Sequence, residues 1–135
     1  MNEAEREAFI AGLHVGVLAA EHPGHGPLAL PIWYMWEDGA VVMRIGTDSL
    51  KAKLLRAAGR ATLTVQEEAP PYKYVSVEGP VSLSEEQRDV LPMATRYLGP
   101  ELGKWYAEQD DGSVGVTVRL TPERWRTTDY AKMTG

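Results

Sequence analysis

The sequence contains no cysteine, a single phenylalanine and three histidines. Without cysteine there is no disulfide frame, no thiolate metal site and no cysteine nucleophile. A basic excess is missing too: the formal charge is −5 and the isoelectric point lies near 5.2, a field that attracts neither nucleic acid nor an anionic membrane surface. No apolar run approaches the ~20 residues needed to span a bilayer, and Met1 to Ile10 is charged rather than the apolar core of a signal sequence. These absences read as a cytoplasmic protein with no nucleic-acid partner and no membrane span. Any anion it binds must find a local basic pocket.

What is present suffices for one domain over residues 1–135, since 44% of the residues are apolar. A chain of this size often buries more surface by pairing with a copy of itself. Asn2 can cap a short, lid-like helix that ends at Gly12, with Glu3, Glu5 and Glu7 near its positive end. His14 to Ala20 reads as a strand, and the Pro/Gly/His stretch from Glu21 to Pro27 as a loop. Leu28 to Trp36 reads as a second strand, joined through Asp38-Gly39 to Ala40 to Ile45 in a hairpin. Pro31 inside it donates no ladder bond, so it needs an edge, a bulge or a backbone that faces a ligand.

Thr47 or Asp48 can cap a helix to about Ala58, with Leu50, Leu54 and Leu55 on one face and Gly59 as its stop. Ala61 to Val65 and the long run Tyr72 to Leu83, bent near Gly79-Pro80, read as strands. A helical region is expected from Ser84 to Gln109 with a break at Gly99-Pro100. After it come a turn at Asp110 to Gly112 and strands at Ser113 to Leu120 and Trp125 to Asp129. Strands outnumber helices, which predicts a β-barrel decorated by short helices.

Charge is distributed unevenly. Arg44, Lys51, Lys53, Arg56 and Arg60 stand against Asp48 alone, so this stretch carries +4 while the rest of the chain carries −9. Free N–H groups at a helix start, joined by Thr47, Ser49 and Lys51, make an anion site for which phosphate is the natural occupant. Taken alone, the same residues also describe an ordinary capped surface helix. Other chemistries find less support. His22 and His25 lack a third metal ligand at suitable spacing, no nucleophile-elbow pattern occurs, and Asp110-Asp111-Gly112 is more economically a turn than a carboxylate pair.

Four segments in order carry a resemblance: Leu30-Pro31-Ile32-Trp33-Tyr34, Ser49 to Arg56, Pro71 to Gly79, and Pro122-Glu123-Arg124-Trp125. Together the chain resembles the pyridoxamine 5′-phosphate oxidase-like split β-barrel family, in particular its flavin/deazaflavin oxidoreductase branch. The resemblance implies a mainly β, six-stranded split barrel (the FMN-binding split barrel) and a homodimer with cofactor sites at the interface. It places Pro31, Ile32 and Trp33 against the cofactor ring, and Thr47, Ser49, Lys51 and Lys53 on its phosphate. Tyr72 and Tyr74 match pocket-lining aromatics, with cross-strand or dimer packing as the equal alternative. The basic stretch favours coenzyme F420, whose acidic tail needs more positive charge, over FMN. The expected activity is F420-dependent hydride transfer to an electron-poor small molecule, with no catalytic residue and no metal required of the protein. The alternatives are an FMN-dependent reductase or oxidase of the same fold and a non-catalytic flavin-, haem- or F420-binding protein.

Overall fold

Alternation of burial along the strands builds the barrel. In the computed structural model, which describes residues 1–86, 88–109 and 115–133, the order is α1 (Glu3–Ala11), β1 (Gly16–Ala20), β2 (Leu28–Ile32), β3 (Met35–Glu37), β4 (Ala40–Gly46), α2 (Leu50–Ala58), β5 (Arg60–Glu67), β6 (Lys73–Ser84), α3 (Leu91–Glu108), β7 (Gly115–Leu120) and β8 (Arg124–Asp129), with a 3₁₀ turn at Tyr130–Met133. Ala61, Leu63 and Val65 of β5 and Val75 and Val77 of β6 point inward and are buried, while Thr62, Thr64 and Ser76 between them point out. Val41, Met43, Ile45, Val116, Val118 and Leu120 complete the same core from β4 and β7.

The strands run antiparallel in the order β2-β1-β5-β6-β7-β4-β3, with β8 also on β6. Strand β6 belongs to both halves of the barrel. Residues 73–80 pair with β5, 73–78 also with β8, and 81–84 with β7. The expected bend at Gly79-Pro80 is where β6 changes partners. There the β7–β8 corner crosses so closely that a Cβ on Gly79 would lie 1.9 Å from the Thr121 carbonyl oxygen.

The Asp38-Gly39 hairpin forms as expected, with both residues at positive φ, 50° and 72°. The strand expected over Leu28 to Trp36 is divided instead. Trp33 and Tyr34 leave the ladder, so β2 pairs with β1 at one edge of the sheet and β3 with β4 at the other. This division raises the number of strand segments above the six of the expected barrel. Pro31 takes the edge option, because β2 has no neighbour beyond it in the sheet.

Three helical details differ from expectation. The cap of α2 is Ser49, not Thr47 or Asp48: its backbone is extended and its Oγ accepts the Ala52 N–H at 3.2 Å. Gly59 closes that helix at φ 69°. Helix α3 starts at Leu91 rather than Ser84, because Ser84 still pairs with Thr117 in the sheet and Pro92 sits in the helix's first turn, where its missing N–H costs nothing. The break at Gly99 is present, at φ 84° and ψ 171°. Nor is α1 a lid. Its capping box forms at Asn2 and Glu5, but Ile10 is fully buried, the Tyr34 hydroxyl donates to the Ile10 carbonyl at 2.6 Å, and Arg96 donates to the Ala11 and Gly12 carbonyls at 2.9 and 2.6 Å. The helix is sealed onto the core. The turn expected at Asp110 to Gly112 lies outside the described residues.

Replacing Gly79 by alanine is expected to lower stability by about 3 kcal/mol, because backbone rather than a flexible side chain blocks the new methyl. The midpoint of urea unfolding measures it, and an unchanged midpoint contradicts the close crossing.

Candidate functional site

A cleft of about 660 Å³ lies between α3 and the side of β4 turned away from the core. Val42 and Arg44 point into it because they alternate with the buried Val41, Met43 and Ile45. Trp33, Met35, Met93 and Tyr106 contribute apolar walls. Near one end are Arg44, Gly46 and Gly115, where the Arg44 guanidinium rests over Gly115; a Cβ on that glycine would lie 3.1 Å from it. The Glu37–Arg88 ion pair, at 2.6 Å, also lines the cleft.

Helix α2 begins directly beyond Gly46. Ser49 fastens that junction twice, its N–H and its Oγ both donating to the Gly46 carbonyl, at 3.1 and 2.7 Å. Arg56 reaches back one helical length to donate to the Thr47 carbonyl at 3.0 Å. The loop between cleft and helix is thus held from both sides. The five cations of this stretch divide in their employment. Arg60 makes a two-pronged pair with Glu123 at 2.9 and 3.3 Å, which removes its charge from the region. Among the described residues, Lys51 and Lys53 enter no ion pair. Positions two apart do not share a helix face. Lys51, on the side of α2 shared with the buried Leu54 and Leu55, is half-buried, and Lys53 is exposed on another side.

The nine residues expected at a site fall into three groups. Pro31, Ile32 and Trp33 line the cleft. Thr47, Ser49, Lys51 and Lys53 do not line it; they continue from its Gly46 rim across the first turns of α2. Tyr72 and Tyr74 lie elsewhere. Their parity is opposite to that of Val75 and Val77, so Tyr74 stands on the outer face of the barrel; Tyr72 is 51% and Tyr74 36% exposed.

Sequence reasoning did not reach the contribution of α3. Tyr97 stacks on Trp33 with ring centroids 5.0 Å apart and planes within 3°, and Tyr106 meets the same indole at 5.4 Å. Burial pushes the Tyr34 and Tyr97 phenols above their usual range, so both keep their proton. Met93 and Tyr97, four residues apart, share a face of α3, and that spacing is the signal that locates it. Among the described residues no group of three or more His, Cys, Asp or Glu is placed to hold a metal ion.

The family model for pyridoxamine 5′-phosphate oxidase matches residues 3–129. The chain belongs to this family. Solved structures agree in fold. The conserved hypothetical protein Rv2991 from Mycobacterium tuberculosis is 27% identical with a TM-score of 0.81, over 100% of this chain and 89% of that one. A protein described as an F420 reductase is 21% identical with a TM-score of 0.72, over 89% and 94% of the two chains. An FAD-binding protein from Mesorhizobium loti is 20% identical with a TM-score of 0.69, over 94% of each. No curated protein matches the sequence. Membership of the pyridoxamine 5′-phosphate oxidase family makes the split barrel the expected frame for this cleft.

The Ser49 cap separates stability from charge. Ser49→Ala is expected to cost about 1 kcal/mol in urea unfolding, whereas Ser49→Asp keeps a capping oxygen and most of the stability. The aspartate places a negative charge on the first turn of α2, so if that turn holds a phosphate, loss of ligand binding at near-native stability is the expected signature.

Proposed function

We propose that this chain is an oxidoreductase that binds coenzyme F420 and positions it for hydride transfer to an electron-poor small molecule. The observation that carries the reading is a single junction. A cleft with apolar walls, large enough for a tricyclic ring, opens at Gly46 onto a capped helix start beside two lysines that enter no ion pair among the described residues. Ring, ribityl chain and phosphate have a matching order: Pro31 to Trp33 and Val42 along the ring, Arg44 to Gly46 along the chain, and Thr47 to Lys51 at the phosphate.

The residues fit such a group chemically. The first-turn N–H groups of Leu50 and Lys51 have no intrahelical acceptor, by the geometry of a helix start. Lys51 adds an ammonium beside them. Lys53 and Arg56 are exposed beyond the phosphate position, where the carboxylates of an F420 tail would meet them. That outlying charge is the reason to prefer F420 over FMN, which ends at its phosphate. The bound cofactor would supply the hydride; the protein's part is to bind, orient and exclude water. Trp33, Met35 and Met93 dry the space where an acceptor would lie against the ring, and no side-chain base is required.

A homodimer belongs to the same proposal. Val17, Pro31, Thr64 and Ser76 form one in-register row across the outer face of the barrel, and Val15, Tyr72 and Tyr74 extend its exposed apolar surface. A second copy docked there would bury this patch, and Tyr72 and Tyr74 would serve the partner's cleft rather than their own.

Titration of F420 and FMN against wild type and Lys51→Ala tests the phosphate position. A loss of roughly tenfold to a hundredfold in the variant is expected, as for one charge-assisted hydrogen bond. Equal affinity removes Lys51 from the site. Production in a host that makes FMN but no F420 tests the cofactor: colourless protein is expected, and yellow protein carrying stoichiometric FMN overturns the preference.

A further inference from the structure

Trp33 occupies the one place where the chain leaves the sheet between its two edges. At Trp33 and Tyr34 the backbone belongs neither to β2 nor to β3, so the Tyr34 N–H lacks a ladder partner. Tyr97, on α3 and 63 residues away, supplies it: the Tyr34 N–H donates to the Tyr97 hydroxyl at 3.0 Å. The phenol has one proton of its own. It lies 2.6 Å from the His14 carbonyl and 3.1 Å from the Tyr34 carbonyl, and the shorter contact takes the hydrogen bond. One oxygen thus ties the entry to β1, the break between β2 and β3, and α3 together. The ring that carries this oxygen lies parallel to the Trp33 indole, with centroids 5.0 Å apart.

Tyr97 does not line the cleft, whereas Trp33 does. We infer that Tyr97 is a positioning residue for the cofactor ring, setting the plane of Trp33 through its own ring and the position of Trp33's backbone through its hydroxyl. Neither contact alone does this. Stacking without the hydroxyl leaves the Trp33–Tyr34 peptide without its anchor, and the hydroxyl without the ring leaves the indole free to rotate about χ1 and χ2. Tyr106 is a weaker constraint on the same indole, since it meets it at an angle of 51° and is itself exposed to 42%. The inference rests on the proposal that Pro31 to Trp33 face the ring of F420 or FMN.

A double-mutant cycle between positions 33 and 97 tests it, read by titration with F420 and with FMN. Tyr97→Phe keeps the ring and removes the oxygen. In the Trp33 background it is expected to weaken cofactor binding about tenfold, the worth of one hydrogen bond in a half-buried site. In a Trp33→Leu background the same change is expected to have almost no effect, because the group being positioned is gone. Equal losses in both backgrounds overturn the inference, since they assign Tyr97 only a general structural role. No loss in either background overturns it as well. Should Tyr97→Phe fail to fold, 3,5-difluorotyrosine at position 97 keeps the shape and weakens the acceptor, and the same background dependence is required of it. A wild-type protein that binds neither cofactor removes the functional proposal and this inference together. Binding by wild type with background-independent losses removes only the inference.

Discussion

The passage of the Thr121 carbonyl over Gly79 is the contact on which the barrel depends. Strand β6 must serve β5 and β8 along its first half and β7 along its second, and a chain that returns along β6 has to cross it where the partners change. Hydrogen bonds fix the crossing on both sides: the Thr121 N–H donates to the Pro80 carbonyl at 3.0 Å and the Glu123 N–H to the Glu78 carbonyl at 2.9 Å. Only a residue without a Cβ leaves room between them. Because β7 carries β4 and β4 carries α2, the position of the helix start relative to the cleft is inherited from this crossing.

Much of the fold was legible wherever local chemistry acts on its own neighbours. Asn2 with Glu5, Asp38 with Gly39, and Gly59 after Leu55 are devices complete within a few residues, and each stands where the sequence put it. The division of Leu28 to Trp36 was not legible. Its residues are apolar almost throughout, so no period marks the point at which the strand changes sheets, and the hydroxyl that stabilises the break comes from position 97. The Ser84 start of the last helix failed for a related reason. Ser84 is a good cap in isolation, but pairing with Thr117 claims its backbone for the sheet. Of the candidate site, Pro31 and the basic helix start stood out by proline and charge, while Ile32 and Trp33 entered through the family resemblance. Tyr97 and Tyr106 were not reached: the Met93–Tyr97 spacing marks a face of α3, but their contact with Trp33, across 64 and 73 positions, is tertiary.

The charges of the molecule acquire a similar order. A count over Arg44 to Arg60 treats five cations alike, yet Arg60 is paired with Glu123 and the Thr47 carbonyl accepts a hydrogen bond from Arg56. Lys51, half-buried and in no ion pair among the described residues, is the cation nearest the helix start. In a chain whose remaining residues carry a net −9, a local excess of positive charge here stands out against the overall field.

The edges of the sheet give the split at Trp33 and Tyr34 a further meaning. Strands β2 and β3 are the two outermost members of the sheet, yet they come from one stretch of chain separated by two residues. The barrel's seam is therefore spanned by covalent bonds where hydrogen bonds are missing. These two edges are also poor templates for a foreign strand, since one contains Pro31 and the other has three residues. The break that separates these edge strands is the same peptide that presents Trp33 to the cleft, so one local departure from the ladder shapes both the rim of the barrel and its pocket.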